Sequence, residues 1–474
     1  MIQLCSVQKL QGSLLPRAVA SQATYHRLQP LMPKVGVMYV LEITALDTLG
    51  IPICFALGPL EPGIDMRVYA RQALHIDEAK VDQLMATIEV FSQDEPLPEL
   101  APVFAAGKGI TTLDSRVSAM MEAVERFSAR QPTTRPCVSS FREIASQMNG
   151  RVIDPRSLIL VSPRTFEEDQ LLEWVAGSDL CSGEEVWLPA EAATYTYKPP
   201  QVDSVCSDTP TGLGAGNTLE EAVSHGLAEA IEHDAWTLAI ARRMITAAQK
   251  GILESLFGKK PQDSLEFEHL AGDVDKSFVP LDMDSLEHVW PVADLISQFQ
   301  RAGTQVNVFD VTSDIGIPVF ATSVTGLPGG PDGGGLGAYP DARLAVVRAI
   351  TEAAQQRLLL RLRNPLIQKR AVPKWQPLPW EYSSANSERG LVRRFEEVGS
   401  VTNIDILEDI RCMLESLRLH GLNQVIVVDL TKPVLDVPVV KVVVPGLADY
   451  WTSALSPQWA ALGSRVLRYI NTTE

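Results

Sequence analysis

Three stretches of the chain carry acidic and polar side chains at helical spacing. In the first, Ser118, Glu122 and Glu125 stand at i, i+4 and i+7, so a helix would set them on one face. The second carries Glu221, His225, Glu229 and Glu232 in one stripe, with Asn217 just ahead of it as a cap. The third repeats the spacing with Arg348, Glu352 and Gln355. A glutamate stripe on an amphipathic helix is ordinarily a solvated face. Two features here point inward instead. The flanking residues are small and apolar, among them Ala119, Ala123, Ala222, Ala228, Ala349 and Ala353, which suits close packing between elements. Each stripe also follows a glycine pair: Gly107-Lys108-Gly109, Gly214-Ala215-Gly216 and Gly335-Leu336-Gly337. Glycine's freedom at positive φ and its missing side chain would let backbone approach a ligand there. If the three stripes converge, Glu122, Glu125, Glu229, Glu232 and Glu352 share one cavity. Two like charges ~4 Å apart at an effective dielectric of about 20 repel by roughly 4 kcal/mol. Such a cluster must protonate, spread apart or bind cations, and magnesium with phosphate oxygens is the natural partner.

The elements that would position these helices repeat along the chain. Residues 43–53, Ile-Thr-Ala-Leu-Asp-Thr-Leu-Gly-Ile-Pro-Ile, recur at 311–319 as Val-Thr-Ser-Asp-Ile-Gly-Ile-Pro-Val. A weaker echo runs from Asp429-Leu430-Thr431 to Asp436-Val437-Pro438-Val439-Val440. Each reads as a strand, a polar turn and a second strand entered through proline, where the missing N–H does least harm. Residues 174–195 form a predicted hairpin around Cys181-Ser182-Gly183-Glu184. Residues 77–91 have a helical pattern opened by Asp77 as N-cap. The pattern predicts an α+β fold in one large domain over 35–460, with internal pseudo-repeats of paired strands followed by a helix. The first ~34 residues show no clean period and read as a loosely structured extension, and 461–474 as a C-terminal tail. Residues 92–100 read as a linker inside the domain.

With 474 residues, 46% hydrophobic and 21% charged, the chain has the balance of a globular protein. A net charge of −17 argues against a nucleic-acid partner held by its phosphates. The six cysteines form no CxxC pair and the seven histidines no HxxxH spacing, so reduced thiols are expected rather than disulfides or a zinc site. No basic region followed by an apolar stretch opens the chain, and no apolar run is long enough for a membrane. A cytoplasmic location is expected.

Three ordered signatures resemble the YcaO family. Gly107-Lys108-Gly109 followed by Ser118, Glu122, Glu125 and Arg126 is similar to its GKG and SxxxExxER pattern. The run from Gly212 to Asn217, with Glu221-Ala222 and then Glu229 and Glu232, resembles the second signature. Arg348-Ala349-Ile350-Thr351-Glu352 with Gln355 and Arg357 resembles the third, and Asp429-Leu430-Thr431 and Val444-Pro445-Gly446 the closing segments. The likeness spans roughly 35–450. It implies ATP and Mg2+ as cofactors, with Glu122, Glu125, Glu229, Glu232 and Glu352 as metal ligands and Lys108, Ser118, Asn217 and Arg348 contacting the nucleotide. It also implies a reaction: a nucleophile adds to a backbone amide carbonyl, and ATP phosphorylates the oxygen so that it leaves as phosphate. Three positions depart from the pattern. His233 stands for the family's arginine, Thr211 for an asparagine, and Tyr339 for a histidine before Pro340. A histidine mostly neutral at pH 7 cannot fork onto phosphate as arginine does.

Among the family's reactions, the wording of the first signature looks most like the branch linked to peptide thioamidation and often paired with a TfuA protein. The proline-rich tail common in azoline-forming members is absent from Leu467–Glu474. The expected partners are a peptide or protein substrate and a TfuA-like or sulfur-delivery protein, and a homodimer is compatible with the pattern. Azoline or amidine formation is the rival chemistry. A non-catalytic accessory role in ribosomal-protein methylthiolation is the rival of another class, and the three departures favour it. Substrate recognition needs a groove or sheet edge, and residues 58–104 and 243–300 are the candidates.

Overall fold

The computed structural model describes residues 2–11, 16–60, 64–74, 76–91, 104–158, 166–200, 202–244, 278–326, 333–362, 392–449 and 465. Fourteen strands among these residues form three antiparallel sheets. The first contains β1 (Tyr39–Glu42), β2 (Ile53–Leu57), β3 (Glu89–Val90) and β4 (Phe104–Lys108) in the order β3-β1-β2-β4. The largest contains β5 (Cys137–Ser140), β6 (Leu171–Asp179), β7 (Glu185–Pro189) and β8 (Leu213–Ala215). Another sheet orders β9 (Val279–Pro280), β10 (Gln305–Asp310), β11 (Val319–Thr325) and β12 (Gly334–Ala338) as β12-β11-β10-β9. With β13 (Ile426–Asp429) and β14 (Val439–Val443), the largest sheet runs β5-β6-β13-β14-β8, and β7 pairs with β6. The helices are α1 (Ser21–Leu28), α2 (Met66–Ala73), α3 (Glu78–Thr87), α4 (Thr112–Ser128), α5 (Phe141–Gln147), α6 (Leu219–Met244), α7 (Val292–Arg301), α8 (Ala342–Arg361) and α9 (Ile406–Leu419). None of the described helices is long and apolar enough to cross a membrane.

The expected α+β architecture and its repeats are present, and the repeats are more regular than the residues alone imply. In each unit the turn closes through equivalent bonds: the N–H groups of Ile43, Val311 and Leu430 donate to the carbonyls of Ile53, Val319 and Val439. The N–H after each proline finds a threonine hydroxyl, Ile53 on Thr44, Val319 on Thr312 and Val439 on Thr431. The carbonyls of Pro52, Pro318 and Pro438 then accept from Gly109, Tyr339 and Gly216, each the residue just past the third strand of its unit. That third strand leads straight into α4, α8 or α6. The closing unit is assembled from distant pieces, since β8 and α6 precede β13 and β14 in the chain, yet β8 pairs with β14 (Val440 opposite Gly214).

The glycine pairs serve this packing rather than ligand approach. A Cβ at Gly107 would lie 2.1 Å from the Ala119 nitrogen and the Ser115 oxygen, at Gly214 2.1 Å from the Ala222 oxygen, and at Gly337 2.1 Å from the Ala345 oxygen. None of the six paired glycines has a positive φ. They let each helix lie flat on its own strand, which brings the polar stripes close to the strand backbone.

Other expectations fare variously. The hairpin at 174–195 is β6–β7, with Ser178 opposite Glu185. Asp77 caps α3, its carboxylate accepting from the Lys80 N–H at 2.9 Å. Residues 21–35 are not loosely structured: α1 and two short 3-10 turns pack there, and Leu28, Met32 and Val35 are fully buried. Residues 92–100 lie outside the described residues, as do parts of 58–104 and 243–300 and all of 461–474 except Arg465.

Candidate active site

The glycine contacts and turn bonds superpose the three helices residue for residue. Ser115, Ala222 and Ala345 sit under equivalent glycines, which makes Ser118, His225 and Arg348 equivalent, then Glu122, Glu229 and Glu352, then Glu125, Glu232 and Gln355. The i, i+4, i+7 spacing of each stripe is therefore one position pattern used three times.

The stripes converge. Glu122 accepts from the Ala106 N–H at 3.2 Å and pairs with Arg126 at 2.5 Å. Glu352 accepts from the Leu336 N–H at 3.4 Å and pairs with Lys108, which reaches it from the first sheet. Glu232 of α6 accepts from the Ala338 N–H on β12 at 2.9 Å. Gln355 of α8 donates to the Ala106 carbonyl on β4. Contacts thus run from α6 to the second unit and from the second unit to the first. Ser118 lies one turn before Glu122, half-buried, and His225 is exposed to the shared space, facing the charges of Arg348 and Lys108.

The electrostatics are those of crowded carboxylates. Burial, then the charges of Glu229 and Glu122, push Glu125 up to about 8. Burial pushes Glu229 up to about 7 against the pull of His233. Glu232 is also raised by burial, although Arg348 opposes the shift and Glu352 adds to it. Desolvation and like-charge repulsion both favour the protonated form until a cation arrives. Asn217 is placed differently. Its N–H and Nδ2 both donate to Glu221 Oε2, at 2.7 and 3.1 Å, while its buried Oδ1 accepts from no described group. Glu221, although on the α6 stripe, is engaged by Asn217 and by the Ala18 N–H.

Residue reasoning missed Lys441. It is buried on β14, donates from Nζ to the Thr209 carbonyl at 2.6 Å, and feels Asp449, Glu229, Asp208 and Glu125. Burial brings it down to about 8 against those acidic neighbours. A single lysine inside the apolar run Val439-Val440-Lys441-Val442-Val443 was the available signal. The departures also read differently in place. His233 and Thr211 touch each other, with Thr211 Oγ1 3.0 Å from Nδ1, and Asp449 lies 3.3 Å from the same nitrogen. Burial opposes the charge on His233, but Asp449 and the nearby Glu229 and Glu232 raise it to about 9. These surroundings favour the charged ring, where the residues alone suggested a neutral one. Tyr339 is fully buried, and its hydroxyl donates to Asp409 at 2.7 Å, so it is a core residue rather than a site residue.

Among the described residues no three His, Cys, Asp or Glu side chains stand close enough to cage a metal. Magnesium needs no such cage, since it is held by one or two carboxylates with phosphate oxygens and waters completing the shell. An all-oxygen donor set in which Glu125, Glu229 and Glu232 are raised first by burial and then by neighbouring carboxylates fits that ion.

The family model described as YcaO cyclodehydratase, ATP- and Mg2+-binding, matches residues 106–448. The chain belongs to the YcaO family. An uncharacterized protein of Methanothermobacter thermautotrophicus is 30% identical over 444 residues, covering 91% of this chain and 95% of the relative. An uncharacterized protein from the tfuA 3' region of Rhizobium leguminosarum bv. trifolii is 27% identical over 479 residues, covering 97% and 94%. The solved YcaO of Methanopyrus kandleri, bound with AMPPCP and Mg2+, superposes with a TM-score of 0.60 at 22% identity, covering 96% of this chain and 98% of that one. A heterocyclase solved in complex with substrate and cofactor gives a TM-score of 0.63 at 20% identity, and this YcaO chain spans 55% of its length. At those identities the structures show the shared YcaO fold.

Proposed function

We propose that this YcaO protein activates a peptide backbone amide by ATP-dependent O-phosphorylation, and that the amide oxygen is then replaced by sulfur to give a thioamide. The observation that carries the reading is the meeting of Glu122, Glu125, Glu229, Glu232 and Glu352 with Lys108 and Arg348 in one space. The family's description as ATP- and Mg2+-binding supports the cofactors. The relative from the tfuA 3' region supports the thioamide branch and a TfuA-like partner.

The amide oxygen is a poor leaving group, and MgATP, when bound, supplies the phosphoryl group that turns it into a good one. In this assignment the five glutamates would hold the magnesium ions that screen the phosphates, one or two carboxylates to each ion. Lys108, Ser118, Asn217 and Arg348 orient the nucleotide, with Arg348 offsetting phosphate charge. Sulfide, free or released by a sulfur-delivering partner, attacks the carbonyl carbon, the oxygen takes the phosphoryl group from ATP as ADP leaves, and loss of the sulfur's proton and of phosphate carrying that oxygen gives the thioamide. The test is to incubate the protein with MgATP, a sulfide source, the candidate peptide and partner, and to weigh the peptide. Oxygen-for-sulfur exchange is the expected result. Net loss of water would assign azoline or amidine formation instead. No magnesium-dependent ATP turnover with peptide and partner present would assign the accessory role.

A further inference from the structure

Thioamide formation has to dispose of a proton. Hydrosulfide adds to the amide carbon as S–H, and the C=S bond forms only when that proton leaves. The sulfur is two bonds from the oxygen that takes the phosphoryl group, so the proton comes up beside the phosphate. A neutral base within reach of that spot would carry it off. Most groups around the shared space are unsuited to the task. Lys108 and Arg348 are cations. Both oxygens of Glu122 are engaged, one by the Ala106 N–H and the other by Arg126, and those of Glu352 by the Leu336 N–H and Lys108. Glu232 accepts from the Ala338 N–H, and Gln355 is an amide. Glu125 and Glu229 are given to the metal in the reading above.

His225 is different. It stands on α6 where α4 carries Ser118 and α8 carries Arg348, the place that each unit turns toward the shared space. Its side chain is exposed, although residues 221–224 and 226–228 on either side of it are buried. Among the described residues nothing hydrogen-bonds the ring. Enclosure by the protein, then the charges of Arg348 from α8 and Lys108 from β4, bring it down to about 3. The imidazole is therefore neutral, and it opens onto an interior space rather than bulk solvent. Its own helix sets Glu221 one turn before it and Glu229 one turn after, with Glu122 of α4 and Glu352 of α8 at the level of Glu229. Negative charge laid against Arg348 and Lys108 would lift the repulsion that keeps the ring from accepting a proton. Nucleotide phosphates are such a charge.

We propose that His225 is the catalytic base that takes the S–H proton of the sulfur adduct, and that it does so only while phosphate charge covers Arg348 and Lys108. This rests on the thioamide reading above and adds the proton acceptor which that reading leaves unassigned. In the step, a ring nitrogen takes the proton and the S–H electron pair forms C=S. The C–O bond breaks, and phosphate leaves with its oxygen and that bond's electrons. The imidazolium then returns the proton to water.

Two measurements on the full chain test it. In the first, NMR follows the titration of the His225 ring in the unsubstituted protein, alone and with Mg2+ and a non-hydrolysable ATP analogue. The midpoint should rise by about one pH unit or more when the analogue binds. In the second, His225→Gln and His225→Ala are compared with the parent, with peptide, sulfide and partner present. Thioamide formation should fall about 100-fold or more in both variants, while MgATP affinity changes by less than about threefold. Added imidazole should restore part of the rate in His225→Ala. A ring midpoint that ignores the analogue, or a variant that forms thioamide at the parental rate, would overturn the proposal. So would a rate loss matched by an equal loss of MgATP affinity, which would make His225 a nucleotide contact alone. Failure of the unsubstituted protein to form any thioamide would instead remove the functional reading and this proposal with it.

Discussion

Replacing Glu125 by glutamine should stabilise the ligand-free protein while weakening its hold on magnesium and nucleotide. Burial, and then Glu229 and Glu122, raise this carboxyl from 4.5 to about 8. In the unfolded chain it titrates near its ordinary value, so between those limits the folded state keeps a proton that the unfolded state has released. Stability therefore falls as pH rises through the window, the reverse of an ion-paired carboxylate. The full shift at 1.36 kcal/mol per unit sets a ceiling of roughly 5 kcal/mol at pH 8.5. Water reaches the half-buried side chain, and an effective dielectric of about 20 brings the expected cost to about 2 kcal/mol. Glutamine keeps the shape without the charge. Urea unfolding in the presence of a chelator should place the variant about 2 kcal/mol above the parent at pH 8.5, with the gap narrowing to about 1 kcal/mol at pH 5.5. A variant no more stable than the parent at pH 8.5, or a gap that widens on acidification, would refute the crowded-carboxylate argument.

Gly107→Ala should cost about 3 kcal/mol, since a Cβ 2.1 Å from the backbone of α4 forces the helix off its strand, and a thermal melt will read the loss. Tyr339→Phe removes a donor from buried Asp409 and should cost about 1–3 kcal/mol while leaving MgATP affinity unchanged, because the hydroxyl serves the core. A large affinity change in that variant would return Tyr339 to the site. Arg357→Met removes the guanidinium that pairs with Asp47 at 2.9 Å, where the two side chains have exposures of 1% and 3%, and should cost about 3–5 kcal/mol by urea unfolding.

Much of this was legible from the residues. The i, i+4, i+7 stripes, the glycine pairs and the Pro-entered strands are local patterns, and local patterns survive without a fold. They identified α4, α6 and α8, the repeat, and the residues that meet between the helices. The polar turns were readable too, although the threonine hydroxyls that close them bond seven to nine residues away, once the paired strands bring them there.

What the residues could not decide was direction and company. Glu221 shares a stripe with Glu229 and Glu232, yet it bonds the N-terminal segment because Ala18 brings an N–H there. The charged ring of His233 is favoured first by Asp449, which folds against it from far along the chain, and then by Glu229 and Glu232. Lys441 enters the acidic cluster because β14 lies beside β8 and α6, a pairing between segments more than two hundred residues apart. Tyr339 looks like a site residue in a motif and becomes core when α9 supplies Asp409. The physical reason is common to all four. Burial and charge depend on the summed field of neighbours, and those neighbours come from chain segments that only the closed three-unit fold brings within reach.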